Sequence, residues 1–365
     1  MRSVAAFTDT YLPTVNGVTY TVQTWRDRWE RRGGRMDVVY PETDDYTPRT
    51  GEYPVRSLPF PFYPGFRLGL PTVPRSVRDV DLVHTHTPFA LGLAGLRLAS
   101  RADVPFVATY HTPTSEYANY LASGGYVGDG VERLSKAYER WFFDRADAIL
   151  VPSEATRRHL AESVGVESEV TVLPNGVDLD RFRPVDAADF RERHGLGSGP
   201  LVGYTGRHGY EKRLRDAVDA AASVDATLVF GGDGPARDDL EARAADRGVD
   251  ARFLGFLDRE ELPAFYSVLD AFVFPSPVET QGLVALEAVA CGTPVVAADE
   301  GALADTVVDG ETGYHYPTGD AEAFASTIAR TLDERESLEE RCLELREEYG
   351  VERAVDRLQA VYDRV

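Results

Sequence analysis

Lysine is almost missing from this chain. Of 39 basic residues only Lys136 and Lys212 are lysines; the others are arginines. Cysteine is as scarce, with Cys291 and Cys342 alone. That excludes a disulfide framework and leaves both as small buried hydrophobes. No apolar run approaches the roughly 18–20 residues that span a bilayer. Met1 to Asp9 leads straight into a strand-like run and a polar loop, without the apolar stretch and cleavage site of a secretory signal. A cytoplasmic protein is therefore expected. Basic charge is also short overall: the formal net charge is −21, which disfavours nucleic acid as a partner.

What is present is a chain of 365 residues, 43% hydrophobic. That suits two domains of α/β size, each with its own core. Strand-like runs alternate with helical patterns. In the first half Val4–Phe7, Asp37–Tyr40, Leu82–His84, Val104–Tyr110, Ala148–Val151 and Val170–Leu173 are predicted strands. Helices are predicted over Gly17–Arg32, Pro88–Ser100 and Val131–Arg145, and after Ser153, which caps a helix running to Ser163. Residues 174–199 are turn-rich and break the rhythm, as a linker would. Strands then resume at Leu201–Tyr204, Ala226–Phe230, Ala251–Leu254, Ala271–Phe274 and Val295–Ala298. Helices are predicted over Glu211–Ala222, Pro235–Arg247, Glu260–Ser267, Leu283–Ala290, Asp320–Leu332, Glu334–Tyr349 and Val351–Arg364. Such alternation predicts parallel sheets covered on both faces. The expected fold class is α/β, with two doubly wound, Rossmann-like domains facing a cleft, one over residues 1–178 and one over 185–349.

Chemistry concentrates at the strand ends of the second half. Gly206 and Arg207 follow one strand, with Lys212 close behind, and Gly231-Gly232-Asp233-Gly234 follow another. Glycine lets backbone N–H groups approach a ligand closely. An arginine fork and a lysine point charge at one strand end suit a diphosphate. A solvated Glu211/Lys212 surface turn would look the same taken alone. Glu279 and Glu287 must be read against that anion site. Ionised carboxylates only accept hydrogen bonds, so sugar and ribose hydroxyls are their natural partners there. Eight positions of helix rise span ~12 Å, about the separation of a ribose from a sugar beyond the diphosphate. Glu279 would then hold the sugar and Glu287 the ribose. The N–H groups of Gln281, Gly282 and Leu283 would serve the sugar and phosphate between them. The alternative is a glutamate that merely pairs on a helix face.

These residues together carry a resemblance. Glu279-Thr-Gln-Gly-Leu-Val-Ala-Leu-Glu287, followed by Gly292-Thr-Pro-Val-Val, resembles the paired-glutamate motif of the retaining glycosyltransferases of family 4. Pro174-Asn-Gly-Val-Asp178 with Phe182, Tyr204-Thr-Gly206-Arg207 with Glu211-Lys212, Gly232-Asp-Gly-Pro235, Phe253-Leu-Gly255-Phe256 and Ala108-Thr-Tyr-His111-Thr are similar to its other segments. The resemblance implies a GT-B fold, with the last helix, residues 350–365, crossing back to the first domain. It implies catalytic roles for His111, Arg207, Lys212 and Glu279, with His111 touching the transferred sugar. It places Phe256 near the nucleotide base and Gly17 near the donor phosphate. It implies a nucleotide diphosphate sugar as co-substrate, no cofactor and no metal. The chain departs from the family in having Asn16-Gly17 where two glycines are common, and Gln281 where phenylalanine is common. Glu-Thr-Gln-Gly-Leu, with His84-Thr-His86-Thr-Pro-Phe and the tyrosines Tyr117 and Tyr120, resembles members that glucosylate diacylglycerol. The acceptor is thus expected to be a membrane lipid such as a diradylglycerol. A polyprenyl-linked or soluble glycan, a nucleotide-sugar epimerase of the same fold and a non-catalytic sugar-nucleotide-binding subunit stand as alternatives.

Two further stretches bear on function. His84, His86 and His111 fall near neighbouring strand ends and could bind zinc, but no Cys or Asp cluster completes such a set. From Pro54 to Arg78 the chain has no acidic residue and carries Arg56, Arg67, Arg75 and Arg78 with Phe60, Phe62, Tyr63 and Phe66. An anionic membrane surface would attract such a segment at ~1 kcal/mol per basic residue; a proline-rich connection packing its aromatics inward is the alternative. Arg56, Phe62, Phe66, His86 and Tyr117 are the expected acceptor-side residues.

Acid-rich, lysine-poor composition predicts adaptation to molar salt, where the screening length falls to about 3 Å and self-repulsion costs little. Unfolding followed at about 0.1 M and at about 1 M salt is expected to give the higher midpoint at high salt. Greater stability at low salt overturns the expectation.

Overall fold

The computed structural model describes residues 1–59, 67–111 and 129–365. Phe62, Phe66 and Tyr117 lie outside the described residues. The chain forms two compact units, Met1–Asn175 with Val351–Val365, and Gly176–Gly350.

The first unit holds β1 (Ser3–Phe7), β2 (Arg35–Pro41), β3 (Glu52–Val55), β4 (Ser57–Pro59), β5 (Arg67–Gly69), β6 (Leu82–Thr85), β7 (Phe106–Thr109), β8 (Ala148–Val151) and β9 (Val170–Val172). Seven of these form a parallel sheet in the order β3-β2-β1-β6-β7-β8-β9, and β4 pairs antiparallel with β5. Along β1 the side chains divide by alternation. Ala5 and Phe7 join one core; Val4 and Ala6 join the other. A parallel strand buried on both faces reads as a continuous apolar run for this reason. β3 was hidden in the proline-rich stretch. Pro54 is tolerated there because β3 lies at the sheet edge.

The last helix, Val351–Arg364, buries Val351, Ala354, Val355, Leu358, Val361 and Tyr362 in the second of those cores. Their spacing is that of one helical face. Arg32, at the end of the helix Gly17–Arg31, reaches Asp356 at 2.6 Å.

The second unit holds β10 (Leu201–Thr205), β11 (Thr227–Gly231), β12 (Ala251–Gly255), β13 (Ala271–Phe274), β14 (Val295–Ala298) and β15 (Gly313–Tyr316). They form a parallel sheet in the order β12-β11-β10-β13-β14-β15. β15 was not predicted. A Cβ on Gly313 would lie 1.8 Å from the Val295 carbonyl oxygen, so the strand starts with glycine to pair so closely. The turn-rich stretch 174–199 is not a bare connection. It carries a helix, Ala188–Arg193, and sinks Phe182, Phe190 and Leu196 into this unit's core. The helix expected from Glu211 is also interrupted. A 3-10 turn spans Tyr210–Lys212, Arg213 takes φ 53°, and the α-helix runs over Leu214–Ala221.

In the first unit the loop after β1 meets the loop after β6. The buried Asp9 carboxylate accepts the Thr87 hydroxyl at 2.6 Å and the Leu91 N–H at 3.1 Å, in the first turn of the helix Ala90–Ala102. Burial pushes its pKa up to about 6, against the Thr87, Leu91 and Gly92 hydrogen bonds. Because the folded pKa lies above the unfolded one, ionisation opposes folding as pH rises from about 4 to about 6. Wild type is therefore expected to lose on the order of 3 kcal/mol relative to Asp9→Asn across that window. Urea unfolding at stepped pH measures the difference; a pH-independent gap refutes it.

Candidate active site

All strand ends of a parallel sheet that lead onward to the next helix open on one edge, so loops far apart in sequence become neighbours. In the second unit the order reverses between β10 and β13, and the two loops that flank this reversal carry Lys212 and Glu279. Lys212 Nζ donates to Glu279 Oε1 at 2.6 Å, and both side chains are largely buried. Burial opposes the lysine charge, but Glu279, Tyr204 and Glu211 outweigh it and hold the pKa above the ordinary lysine range. Arg207, on the same strand end as Lys212, pairs with Glu211. The two cations thus sit at one strand end, each next to a carboxylate. A diphosphate arriving there meets positive charge already oriented.

The glycines have a reason beyond ligand approach. The loops after β10, β11 and β12 lock together through backbone: Gly206 N–H donates to Gly231 at 3.1 Å, and Gly232 N–H to Gly255 at 2.6 Å. Gly232 has φ 99°, and a Cβ there would lie 2.0 Å from the Gly206 carbonyl oxygen. Buried His208 completes the lock. Its N–H donates to Asp233 at 2.8 Å, its carbonyl accepts from Ala236 at 2.9 Å, and its Nε2 faces the Gly231 carbonyl at 3.2 Å. A carbonyl only accepts, so Nε2 carries the proton. Phe256 directly follows β12 and is 67% exposed, an aromatic face open to stacking.

The helix Leu283–Ala290 spans the residues expected of it. It opens at Gly282, which has φ 82°, and its first turn carries no acidic residue. A Cβ on Gly282 would lie 2.6 Å from a Leu303 methyl. Gln281 is buried, and its carbonyl accepts the Thr306 hydroxyl at 2.6 Å. Glu287 lies nearly buried on this helix and accepts the Tyr266 hydroxyl at 2.8 Å. Burial raises its pKa, against the pull of Arg259, Tyr266 and Arg181. One expectation is corrected here. The segment from Glu279 is helical only from Leu283, so the separation of the two carboxylates is not set by eight positions of helix rise.

In the first unit His86 directly follows β6 and His111 lies two residues past β7, and both are buried. His86 Nδ1 lies 3.1 Å from His111 Nε2. His84 is a packed strand residue, held by Tyr362 at 2.6 Å and Thr109 at 2.7 Å. Gly17 opens its helix at an exposed position, with Asn16 Oδ1 accepting the Thr19 N–H at 2.9 Å. Arg56 is exposed between β3 and β4. His208, Tyr266 and Asp9 were not singled out from sequence. Tyr266 and Asp9 carried no local signal; His208 stood between Arg207 and Lys212 inside the segment already suspected.

Comparison with known proteins shows the family and the fold. Residues 15–181 match the model of Glycosyltransferase Family 4, and residues 186–348 match Glycosyl transferases group 1. The chain is 31% identical over 317 residues to the alpha-monoglucosyldiacylglycerol synthase of Streptococcus pneumoniae, covering 80% of this chain and 70% of that protein. It is 35% identical over 307 residues to the 2-deoxystreptamine glucosyltransferase of Streptomyces kanamyceticus, covering 78% of each. The structure of Anabaena HepE in complex with UDP-glucose superposes with a TM-score of 0.78 at 17% identity, covering 100% of both chains. The fold is of the GT-B class, with one Rossmann-like parallel sheet in each unit. The chain belongs to glycosyltransferase family 4. It is a glycosyltransferase that uses a nucleotide-sugar donor.

Gly232→Ala is expected to push the β10 and β11 loops apart at a cost of roughly 2–4 kcal/mol. Urea unfolding would read it, and the thermal shift given by a bound nucleoside diphosphate would fall with it. An unchanged midpoint would show that the loops are not locked through this contact.

Proposed function

We propose that the protein transfers a hexose, with retention of anomeric configuration, from a nucleotide diphosphate sugar to the hydroxyl of a diradylglycerol-type lipid. The observation that carries this is the Lys212–Glu279 pair at the β10/β13 reversal, with Arg207 beside it. The second unit binds the donor. Its helix at Leu283 opens on glycine without an acidic first turn, whereas the comparable helix of the first unit is already capped by Asp9. Arg207 and Lys212 stabilise the charge that collects on the diphosphate as the bond to the anomeric carbon breaks. The acceptor hydroxyl bonds to that carbon, and its proton leaves with the diphosphate. The positive charge comes from the two side chains, so the chemistry needs no metal. Glu279, held by its lysine, accepts from sugar hydroxyls and orients the ring rather than attacking it. Glu287, positioned by Tyr266, takes the ribose, and Phe256 the base.

The lipid acceptor is supported by the resemblance to the Streptococcus pneumoniae synthase. It is also supported by the surface of the β4–β5 ribbon. Leu58 is 62% exposed there, with Leu70 and Arg56 also exposed, a combination suited to peripheral contact with a lipid surface.

Purified protein is to be given labelled nucleotide sugars with diradylglycerol, with a soluble glycan, and with no acceptor. A new glycolipid with retained configuration is the expected product. Conversion of donor alone would indicate an epimerase, and transfer only to the soluble glycan would overturn the lipid assignment. Lys212→Ala and Glu279→Ala are each expected to lose about 100-fold or more in transfer while their far-ultraviolet circular dichroism stays that of wild type. Near-wild-type turnover in either removes that residue from the mechanism.

A further inference from the structure

Three of the four histidines of the first unit, His84, His86 and His111, form one column. The rings of His84 and His86 lie 4.2 Å apart between centroids, and those of His86 and His111 lie 5.4 Å apart and nearly parallel, at 18°. Trp25 flanks the column, 5.9 Å from His86. His84 has a hydroxyl at each nitrogen, Tyr362 on Nδ1 and Thr109 on Nε2. His86 is different. Its Nδ1 faces His111 Nε2 at 3.1 Å, and its Nε2 is buried with no hydrogen-bond partner among the described residues. The backbone N–H of His86 is fixed on the Phe7 carbonyl at 2.8 Å, so the ring has a rigid base.

Counting protons on this column decides a tautomer. Burial keeps all three rings neutral, aided at His86 by its two histidine neighbours, so each carries one N–H. A hydrogen bond between two ring nitrogens holds one proton. If His86 carried its proton on Nε2, that N–H would be buried without an acceptor. Orphaned buried N–H groups are rarer and costlier than an unused lone pair. The proton of His86 therefore sits on Nδ1, directed at His111 Nε2. His111 Nε2 then has no proton of its own.

We propose that His86 is a positioning residue that donates Nδ1–H to His111 Nε2 and fixes His111 as the Nδ1–H tautomer, presenting His111 as a hydrogen-bond donor. This tautomer suits holding a substrate hydroxyl oxygen and not abstracting a proton through Nε2. Only that use of the presented N–H rests on the function proposed above; the tautomer rests on the column itself. His86, expected on the acceptor side, thus acts through His111.

The test is spectroscopic. Long-range proton–nitrogen correlation spectra of the full-length protein labelled with nitrogen-15 histidine distinguish protonated from bare ring nitrogens. His111 is assigned by the signals lost in His111→Asn. The expected result is a protonated Nδ1 and a bare Nε2 at His111 in wild type. In His86→Phe the Nδ1 preference at His111 is lost. His86→Asn, whose amide N–H replaces Nδ1–H, restores it. In the transfer assay His86→Phe is expected to lower kcat roughly 10–100-fold with donor KM within about threefold, and His86→Asn to recover most of the loss. A proton on His111 Nε2 in wild type, or a tautomer unmoved by His86→Phe, overturns the proposal. Expected spectra without transfer to any acceptor would count against the proposed function and leave the positioning role standing.

Discussion

The reversal of strand order in each parallel sheet is the constraint on which the rest depends. Two neighbouring strands there send their chains to opposite sides, so the loops that leave them part and leave room at the sheet edge. In the second unit those strands are β10 and β13, and Lys212 and Glu279 meet across the gap at 2.6 Å. In the first unit they are β1 and β6, and Asp9 meets Thr87 at 2.6 Å. Sequence separation is immaterial at such a place. What counts is which loop follows which strand.

The same topology serves opposite ends in the two units. Asp9 presents its carboxylate to the first turn of the helix at Ala90, taking up the N–H dipoles that would otherwise attract an anion. The cost appears as a carboxyl pKa pushed up to about 6. In the second unit the helix at Leu283 begins on a glycine, and cations gather on the neighbouring strand end. A helix start with no acid of its own, in the same unit as Arg207 and Lys212, suits the phosphate-binding role proposed for it. The proposed assignment of the donor to the second unit rests on this contrast and not on fold alone.

Much of the fold was legible because buried parallel strands leave continuous apolar runs. β13, the helix Leu283–Ala290 and β14 were predicted to the residue. Elements whose sequences are not apolar runs were missed. β3 contains a proline and β15 a histidine and two tyrosines, and both lie at sheet edges, where pattern is weakest. The linker region was misjudged because Phe182, Phe190 and Leu196 are too widely spaced to show a period, though all three are buried. At the candidate site, residue types and their strand ends were legible, but their mutual contacts were not. Lys212 and Glu279 had been given separate partners, phosphate and sugar, and the structure pairs them with each other. The interlock of Gly206, Gly232 and His208 was invisible because it is made of backbone groups.

That pairing answers an electrostatic difficulty. A carboxylate beside a diphosphate is repelled unless its charge is compensated. Glu279 brings its own ammonium, so in the proposed binding reaction the pair enters close to neutral and the carboxylate is not left to repel the diphosphate. A surface ion pair is worth little, but this one is largely withdrawn from solvent, where losing either partner leaves the other uncompensated. The lysine is also fixed in its role. With its pKa raised by Glu279, Tyr204 and Glu211 against the effect of burial, Lys212 stays an ammonium across the physiological range. It can stabilise developing negative charge but cannot act as a base. In a chain with 39 basic residues and only two lysines, the other, Lys136, makes an ordinary helix pair with Glu132 at 2.8 Å. At position 212 the compact ammonium makes a single-point contact with Glu279 Oε1 at 2.6 Å, which the wide planar fork of an arginine does not reproduce.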